Sequence, residues 1–404
     1  MAERNLEFDR IIDRKNTNSL KYDFAGKRGK PENILPLWVA DMDFQVSSYI
    51  QDALLRQAEH GIYGYSEAGD GYFQALHDWM KKQHNWEVEE EWLIKTPGIV
   101  FALAMAVKAF TREGDAVLIQ KPVYYPFDEV IRDNGRRVID NTLVQGEDGV
   151  YRMDTADFEE KIVKEHVRLF FLCNPHNPVG RVWSAEELEE IGEICCRHKV
   201  LVISDEIHED FVFRGKHTVF ANLKEKYRDR TITCTSPSKT FNIAGLQVSN
   251  IFISNPEIRR LFQKQISAAG YSQLNAAGLA ACEAAYRYGA EWHQGVLRYI
   301  RQNIAYIHDF VDQNLPGVTM YESEGTYLVW LDFRSGRLSE RELEELIVKK
   351  AGLWLDRGSM FGRSGSGFQR INAACPRSVL REAMEKLQAA WMAVGKANKG
   401  ECWD

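Results

Sequence analysis

Short, strongly apolar runs alternate with segments of helical periodicity through the middle of the chain. The runs are rich in β-branched residues and have the length of buried strands; they span residues 116–120, 167–173, 200–204, 231–234 and 248–254. Between them, residues 184–194 open with the Ser-x-x-Glu pattern of a capping box and continue with an amphipathic period. Strands that alternate with helices predict an α/β fold, in which a mostly parallel sheet lies between two layers of helices.

The last third of the chain has a different pattern. Helical periodicity over residues 290–313, 340–351 and 377–394 surrounds two strand-like runs, 326–333 and 368–374. This pattern predicts a smaller α+β domain that packs on the first. Since the beginning of the chain is polar and loop-like, we divide the protein into an N-terminal segment of the small domain (1–45), a large domain (46–288) and a C-terminal small domain (289–404).

Composition and charge exclude several classes of protein. The 404 residues include 51 lysines and arginines against 58 aspartates and glutamates, and this net charge of −7 argues against nucleic acid as a partner. No apolar run approaches the roughly 20 residues that span a bilayer, and the charged N-terminus has no signal-peptide pattern. The seven cysteines include no CxxC pair, and the histidines show no metal-ligand spacing. We therefore expect a cytoplasmic protein with free thiols and no metal site.

A lysine follows the predicted strand 231–234, in the sequence Ser236-Pro-Ser-Lys239. At the mouth of a parallel sheet its amine would be partly buried, and burial favours the neutral form that attacks an aldehyde. The hydroxyls of Ser236 and Ser238 are suited to donate hydrogen bonds to a phosphate. The motif favours a Schiff-base lysine beside a phosphate group, and the alternative is a surface lysine in a serine-rich turn.

Two further strands are followed by polar side chains. Asp205 stands at the carboxyl end of the strand 200–204, the edge at which open α/β sheets bind ligands. Its carboxylate could keep a pyridine nitrogen protonated, and the alternative is a structural or helix-capping aspartate. Asn177 lies in the turn after the strand 167–173, between two Asn-Pro steps, and could donate a hydrogen bond to a phenolic oxygen of such a ring.

Three other segments are candidates for ligand binding. Residues 98–100 open a helical run, and backbone N–H groups at a helix N-terminus bind phosphate. Tyr124 and Tyr125 follow the strand 116–120, and one of them could stack on an aromatic ring, although tyrosine pairs also pack in cores. Arg370 could hold a substrate carboxylate in a bidentate fork or form an ordinary salt bridge.

The order of these motifs resembles that of pyridoxal-phosphate enzymes with the aspartate aminotransferase fold. The segments LPLWVADMDF, IYGYSEAGDGY, KPVYYPF, NPHNPVGRVW, SDEIHEDF, SKTFNIAGLQ and RINAACPRSVL are similar to those of the MalY/PatB-type cystathionine β-lyases, which are C–S lyases. The resemblance extends over nearly the whole chain. It implies a large domain with a mostly parallel mixed sheet between helices, a smaller α+β domain, pyridoxal 5'-phosphate as cofactor and a homodimer with shared active sites.

The resemblance also implies which residues hold the cofactor. Lys239 would bind it covalently, and Asp205 would pair with the pyridine nitrogen. Asn177 would contact the phenolic oxygen, and Tyr124 would stack on the ring. The cradle of the phosphate would consist of Gly98, Ile99, Val100, Ser236 and Ser238.

Two further roles are carried over from the resemblance. Tyr65 would reach the phosphate of the neighbouring subunit's cofactor, and Tyr63 is the alternative for this contact. Arg370 would bind the α-carboxylate of the substrate, helped by the backbone near Val39 and Ala40.

Two positions depart from the aminotransferase pattern. Gln247 stands eight residues after the lysine, where aminotransferases commonly carry a phosphate-binding arginine. His208 stands three residues after the aspartate, where they carry a tyrosine. Both departures are familiar in the lyase subgroup, and so they favour it. They leave open how the phosphate charge is balanced and whether His208 contacts the cofactor or only packs.

These features predict α,β-elimination from a sulfur amino acid such as cystathionine, cysteine or cystine, with pyruvate, ammonia and a thiol or sulfide as products. Lys239 would be the base at Cα, and Lys239, Tyr124 or Tyr125 would donate a proton to the departing thiolate. One alternative is a pyridoxal-phosphate-dependent aminotransferase of class I/II; for either enzyme the expected partner is a small-molecule amino-acid substrate. Another, from a different class, is a regulatory protein that uses the same fold to bind a protein partner. Neither nucleic acid nor membrane is an expected partner.

Overall fold

The computed structural model describes residues 3–400, with side chains up to residue 393. Its strands are β1 Leu35–Pro36, β2 Leu93–Thr96, β3 Ala116–Ile119, β4 Arg137–Asp140, β5 Val144–Gln145, β6 Tyr151–Arg152, β7 Leu169–Cys173, β8 Leu201–Asp205, β9 Thr231–Thr235, β10 Ser249–Phe252, β11 Thr319–Met320, β12 Leu328–Asp332, β13 Leu353–Trp354, β14 Asp356–Arg357 and β15 Phe368–Asn372.

Helices connect and cover these strands. They are α1 Ser48–His60, α2 Asp70–His84, α3 Ile99–Phe110, α4 Pro126–Asp133, α5 Thr155–Glu165, α6 Ala185–Arg197, α7 Phe220–Leu223, α8 Glu225–Arg228, α9 Pro237–Thr240, α10 Pro256–Ala268, α11 Ala276–Tyr288, α12 Ala290–Asn314, α13 Glu340–Glu345 and α14 Arg377–Gly400. No helix in residues 3–400 combines the length and the apolarity that crossing a bilayer requires.

The large sheet has seven strands in the order β2-β10-β9-β8-β7-β3-β4. Its central strands pair in parallel, whereas β10 runs antiparallel to both of its neighbours, so the sheet is mixed but mostly parallel. The five strands expected from the sequence are β3, β7, β8, β9 and β10, and the α/β prediction is confirmed. The expected capping box is also present, since the Ser184 hydroxyl accepts from the N–H of Glu187 at 3.2 Å and the Glu187 carboxylate accepts from the N–H of Ser184 at 2.9 Å.

Both faces of the large sheet are buried. Along β7, Leu169 and Phe171 pack into one apolar cluster, with α3, α4 and α10. Phe170 and Leu172 point to the opposite face and pack into a second cluster, with α5 and α6. A strand that is covered on both sides gains from apolar residues at every position, which explains why β7 reads as a continuous apolar run rather than an alternating one.

The C-terminal part forms a four-stranded antiparallel sheet in the order β11-β12-β15-β14, next to α12 and α14. The N-terminal segment pairs with the C-terminal part in a separate two-stranded sheet, in which β1 runs parallel to β13. The helix expected over residues 340–351 is α-helical only as α13. It continues as a π-helical turn, Leu346–Lys350, which buries three consecutive apolar residues, Leu346 to Val348.

Candidate active site

A cavity of about 200 Å³ lies at the carboxyl edge of the large sheet. Its walls come from the turns after β3, β7, β8 and β9, from the small sheet and from the N-terminal segment. Residues far apart in the chain meet there because parallel strands end at the same edge. The cavity brings together these residues expected from the sequence: Val39, Ala40, Tyr124, Tyr125, Asn177, Asp205, His208, Lys239 and Arg370.

Lys239 lies on α9, the short helix that follows β9. Its Nζ donates a hydrogen bond of 2.7 Å to the carbonyl oxygen of Ala40. Burial lowers the pKa of Lys239 to about 8; Arg370 also lowers it, whereas the carboxylates of Asp41 and Asp205 oppose the shift. The amine therefore becomes neutral at mildly alkaline pH, as a nucleophile or a base must.

Asp205 ends β8 and is buried. Burial raises the pKa of its carboxyl group to about 7, although the N–H of Ile207, which donates to Oδ1 at 3.3 Å, and the nearby Lys239 lower it. The hydrogen bond and the nearby lysine do not offset the cost of burying this carboxylate, so its charged form favours a further cationic partner. A protonated pyridine nitrogen is such a partner.

His208 lies three residues further on and is also buried. Its ring packs edge-on against Tyr327, with 5.8 Å between the centroids, and its Nδ1 has no hydrogen-bond partner in the described part of the chain. Burial lowers the pKa of His208 well below its ordinary value, and so do Lys239 and Arg370. The ring is therefore neutral and lines the cavity; its contact with a cofactor stays a prediction.

Arg370 projects from β15 with a buried guanidinium group. Nη1 donates to Oδ1 of Asn177 at 2.9 Å, and Nη2 donates to the carbonyl oxygen of Trp38 at 3.0 Å and to the carboxylate of Asp356. Asp356 lies directly opposite Arg370, because their strands β14 and β15 pair in that register. The guanidinium group also lies 4.8 Å from the centre of the Phe361 ring. It is thus held in place before any substrate binds.

Two asparagines fix the N-terminal segment that forms one wall of the cavity. Nδ2 of Asn372 donates to the carbonyl oxygens of Val39 and Asp41, at 2.7 and 2.6 Å. Asn242 holds the following stretch through both of its side-chain atoms: Oδ1 accepts from the N–H of Met42 at 2.9 Å, and Nδ2 donates to the carbonyl oxygen of Met42 at 3.0 Å. These hydrogen bonds fix the backbone near residues 39 and 40, which the resemblance implicates in substrate binding.

Tyr124 and Tyr125 both line the cavity, and their ring centroids lie 5.6 Å apart. The pKa values of both phenols are raised, and burial is the largest cause of the shift in each. Both hydroxyls are therefore protonated at neutral pH and able to donate.

The Lys121–Pro122, Asn174–Pro175 and Asn177–Pro178 peptide bonds, in the turns after β3 and β7, are cis.

The residues expected to hold a phosphate do not line this cavity. Gly98, Ile99 and Val100 form the start of α3, where Gly98 has φ 136° and a Cβ would meet no atom within 4 Å. A positive φ of this size favours glycine, and the missing side chain leaves open space in front of the helix. The Ser236 hydroxyl donates to the carbonyl oxygen of Val248 at 2.7 Å and accepts from the N–H of Ser238 at 3.1 Å. In this structure Ser236 therefore caps α9, and the phosphate roles of all five residues remain predictions.

Tyr65 lies outside the main cavity and is fully exposed. With Tyr63, Pro97 and Gln247 it lines a separate, open cavity, and neither tyrosine contacts the Lys239 cavity of its own chain. This placement is compatible with a contact to another subunit, which stays a prediction.

Several residues at the site carry no recognisable signal in the sequence. Tyr327 donates through its hydroxyl to the carbonyl oxygen of Ala40 at 3.0 Å, so that this oxygen accepts from both Tyr327 and Lys239. Asp356 holds Arg370, but only the register of β14 on β15 shows that they pair. Trp38, Cys173 and Ile207 line the cavity as apolar neighbours of polar motif residues.

The donor set fits pyridoxal phosphate. A half-buried amine with a lowered pKa, a buried carboxylate that forms no direct ion pair within the described residues and an open helix N-terminus lie at one edge of the sheet. His208 adds an unpartnered polar atom to the same wall. Lys239, Asp205, Asn177 and Tyr124 are the residues that could hold the ring.

The fold and the site together define a class of protein: an α/β enzyme with an activated lysine at the carboxyl edge of its sheet. The chain belongs to the family of class I and II aminotransferases, whose model matches residues 34–387. This finding confirms the aspartate aminotransferase-like fold expected from the motifs.

Individual relatives place the chain among the C–S lyases of that family. It is 42% identical over 386 residues to cystathionine beta-lyase PatB of Bacillus subtilis, covering 95% of this chain and all of PatB. It is similar to cystalysin of Treponema denticola, a structure that contains pyridoxal 5'-phosphate, with a TM-score of 0.93 and 38% identity over 96% of this chain and 99% of cystalysin. For the pyridoxal-phosphate-bound C–S lyase of Staphylococcus hominis, with an inhibitor, the TM-score is 0.89 and the identity 33%, over 96% and 99% of the chains.

Proposed function

We propose that this protein is a pyridoxal-phosphate-dependent C–S lyase of the cystathionine β-lyase type, which eliminates a thiol or sulfide from a sulfur amino acid. The observation that carries the proposal is the position of Lys239, a half-buried amine with a pKa lowered to about 8, in one cavity with Asp205 and Arg370. The names of the relatives support the same activity.

When bound, pyridoxal phosphate supplies an electron sink for the charge that develops at the substrate Cα. Asp205 would keep the pyridine nitrogen protonated, and Asn177 would donate to the phenolic oxygen through Nδ2, since its Oδ1 accepts from Arg370. The open N-terminus of α3 would bind the phosphate through its free backbone N–H groups.

The chain's own side chains bind and orient the substrate. The Arg370 guanidinium group binds the α-carboxylate; its side chain is already fixed by Asn177, Asp356 and the carbonyl oxygen of Trp38. Little side-chain entropy is then lost on binding. Lys239, whose amine is held by the carbonyl oxygen of Ala40, lines the same cavity as this arginine.

Elimination breaks the Cα–H and Cβ–S bonds. The neutral amine of Lys239 takes the Cα proton, and the sulfur leaves with the electron pair of the Cβ–S bond. A proton from Lys239, Tyr124 or Tyr125 neutralises the thiolate, since burial keeps both phenols protonated. Water then converts the three-carbon fragment to pyruvate and ammonia.

The protein acts as a cytoplasmic homodimer in this proposal. The six cysteines in the described part of the chain form no disulfide, which supports a reducing compartment. Ile62, Tyr63 and Tyr65 are exposed by 70, 67 and 100%, and a group of exposed apolar side chains marks a protein interface. Tyr65 then reaches the cofactor phosphate of the other subunit.

A substrate panel tests the activity. Cystathionine, cystine, cysteine and alanine are incubated with the holoenzyme without any oxo acid, and pyruvate and released thiol or sulfide are measured. We expect pyruvate in equal amounts with a thiol from cystathionine, with sulfide from cysteine and with cysteine persulfide from cystine, none from alanine, and no product from Lys239→Ala. Amino-group transfer to an added oxo acid, with no pyruvate in its absence, would instead identify an aminotransferase.

A further inference from the structure

A second group of potential ligand atoms is buried outside the active site. His84 ends α2, Glu209 lies in the turn after β8, and His217 lies in the loop before α7. The three side chains are at least nine-tenths buried. One ring nitrogen of each histidine and one carboxylate oxygen of Glu209 lie within 4.8 Å of one another. We call these three residues the His84 cluster.

Two atoms of the cluster lack a hydrogen-bond partner within residues 3–400, namely Nδ1 of His217 and Oε2 of Glu209. Nε2 of His217 donates to Oε2 of Glu206 at 2.7 Å, which leaves Nδ1 as the ring atom without a partner. Glu206 is itself fixed, since its Oε1 accepts from the Ser204 hydroxyl at 2.6 Å and the Phe220 N–H at 3.2 Å. Buried polar atoms that form no hydrogen bond are costly unless a proton or a cation lies between them.

The arrangement matches that of a metal ligand set. A histidine that binds a metal through one nitrogen usually donates the other N–H to a carboxylate, as His217 does to Glu206. Oε2 of Glu209 lies 3.8 Å from Nε2 of His84, too far for a hydrogen bond but below the separation of about 4 Å that two atoms, each about 2 Å from one ion, can reach. Two imidazoles and a carboxylate are ligands that Zn²⁺ prefers.

We infer that the His84 cluster binds a divalent transition-metal ion of the zinc type as a structural site. An ion on Nε2 of His84 replaces the proton that this nitrogen now donates to Oδ1 of Asp210 at 3.0 Å. No ligand spacing is visible in the sequence, because the three donors come from separate segments. The expectation of no metal site is revised by this proposal.

The site would stabilise the active-site edge of the sheet. Asp210 directly follows the proposed ligand Glu209 in the chain and accepts from the Thr240 hydroxyl at 2.6 Å through Oδ2. Thr240 is the neighbour of Lys239 on α9. An ion that holds α2 to the turn after β8 therefore also restrains the short helix that carries the lysine.

Metal analysis of the full-length holoenzyme tests the inference. The protein is produced in zinc-supplemented medium, desalted into metal-free buffer, and its zinc content is measured by plasma mass spectrometry. We expect zinc equimolar with the chain, together with a fall of several degrees in the unfolding midpoint when a chelator removes the ion during slow heating. Glu209→Gln keeps the size of the side chain but removes its charge, and we expect it to abolish both effects.

Matched variants separate the cluster from adventitious binding. Glu160→Gln makes the same change on an exposed helix position, and His308→Ala is the surface counterpart of His217→Ala. Both controls should keep the zinc of the parent. Two outcomes would overturn the inference. In the first, the parent protein contains no more zinc than Glu209→Gln, a comparison that does not depend on whether His217→Ala folds. In the second, both cluster variants keep the zinc content of the parent.

Discussion

Oδ1 of Asn177 accepts a hydrogen bond of 2.9 Å from Nη1 of Arg370, although the two residues are 193 positions apart in the chain. The bond joins the turn after β7 to strand β15 of the small sheet. Because a guanidinium group only donates, the bond fixes the orientation of the asparagine amide, and its Nδ2 is left to donate. One side chain thus links the site proposed for the substrate carboxylate to the site proposed for the cofactor.

Arg370→Lys is expected to lower kcat/KM by about ten- to a hundredfold, mainly through a higher KM. Lysine keeps the charge but not the planar fork, and a hydrogen bond to a charged group contributes about 1.5–3 kcal/mol. Steady-state kinetics with cystathionine measure the effect. Arg363→Lys, an exposed position of the same segment, is the control and should match the parent. An unchanged KM in Arg370→Lys would remove this arginine from substrate binding.

The reaction of cofactor-free protein with pyridoxal phosphate should depend on pH through Lys239. Its pKa is lowered to about 8, and only the neutral amine attacks an aldehyde. The rate constant should therefore increase about tenfold per pH unit below this value and level off above it. Absorbance changes of the cofactor measure the rate, and a soluble alkylamine provides the reference. A midpoint at the ordinary lysine value of 10.5 would contradict the lowered pKa.

Asp205→Asn is expected to weaken cofactor binding and to lower kcat/KM by about a hundredfold at neutral pH. The amide still forms hydrogen bonds, but it cannot favour a cationic ring nitrogen; the loss of a charged hydrogen bond of about 3 kcal/mol corresponds to this factor. Asp154→Asn is the matched control, because Asp154 caps α5 and asparagine caps a helix equally well. If Asp205→Asn turned over like the parent, the electron sink would need another explanation.

Tyr65→Phe should lower cofactor affinity about ten- to a hundredfold, because it removes one hydrogen bond to a charged phosphate. Mixing this variant with Lys239→Ala tests the shared site. Hybrid dimers should contain one site with both defects and one site with neither, and activity should recover after subunit exchange. Tyr288→Phe, at another exposed tyrosine, is the control. An active monomer, or proven exchange without recovery, would show that Tyr65 does not act across a subunit boundary.

The strands at the centre of the sheet could be predicted because their burial leaves a local signal. β7 is apolar at every position, and the capping box of α6 is readable from two residues. The short strands were not predictable. β1, β13 and β14 have two residues each, and such pieces become strands only because another segment pairs with them.

The sequence by itself predicts where four residues of the site lie, because each follows or lies on a strand with a local apolar pattern. These residues are Lys239, Asp205, Asn177 and Arg370. The tertiary structure alone decided how these groups contact one another. Three contacts join segments that are distant in the chain or carry no recognisable motif. They are the ion pair of Asp356 with Arg370, the hydrogen bond from Tyr327 to Ala40, and the close approach of His84 and Glu209. Register and burial produce such contacts, and neither is a property of a local stretch of residues.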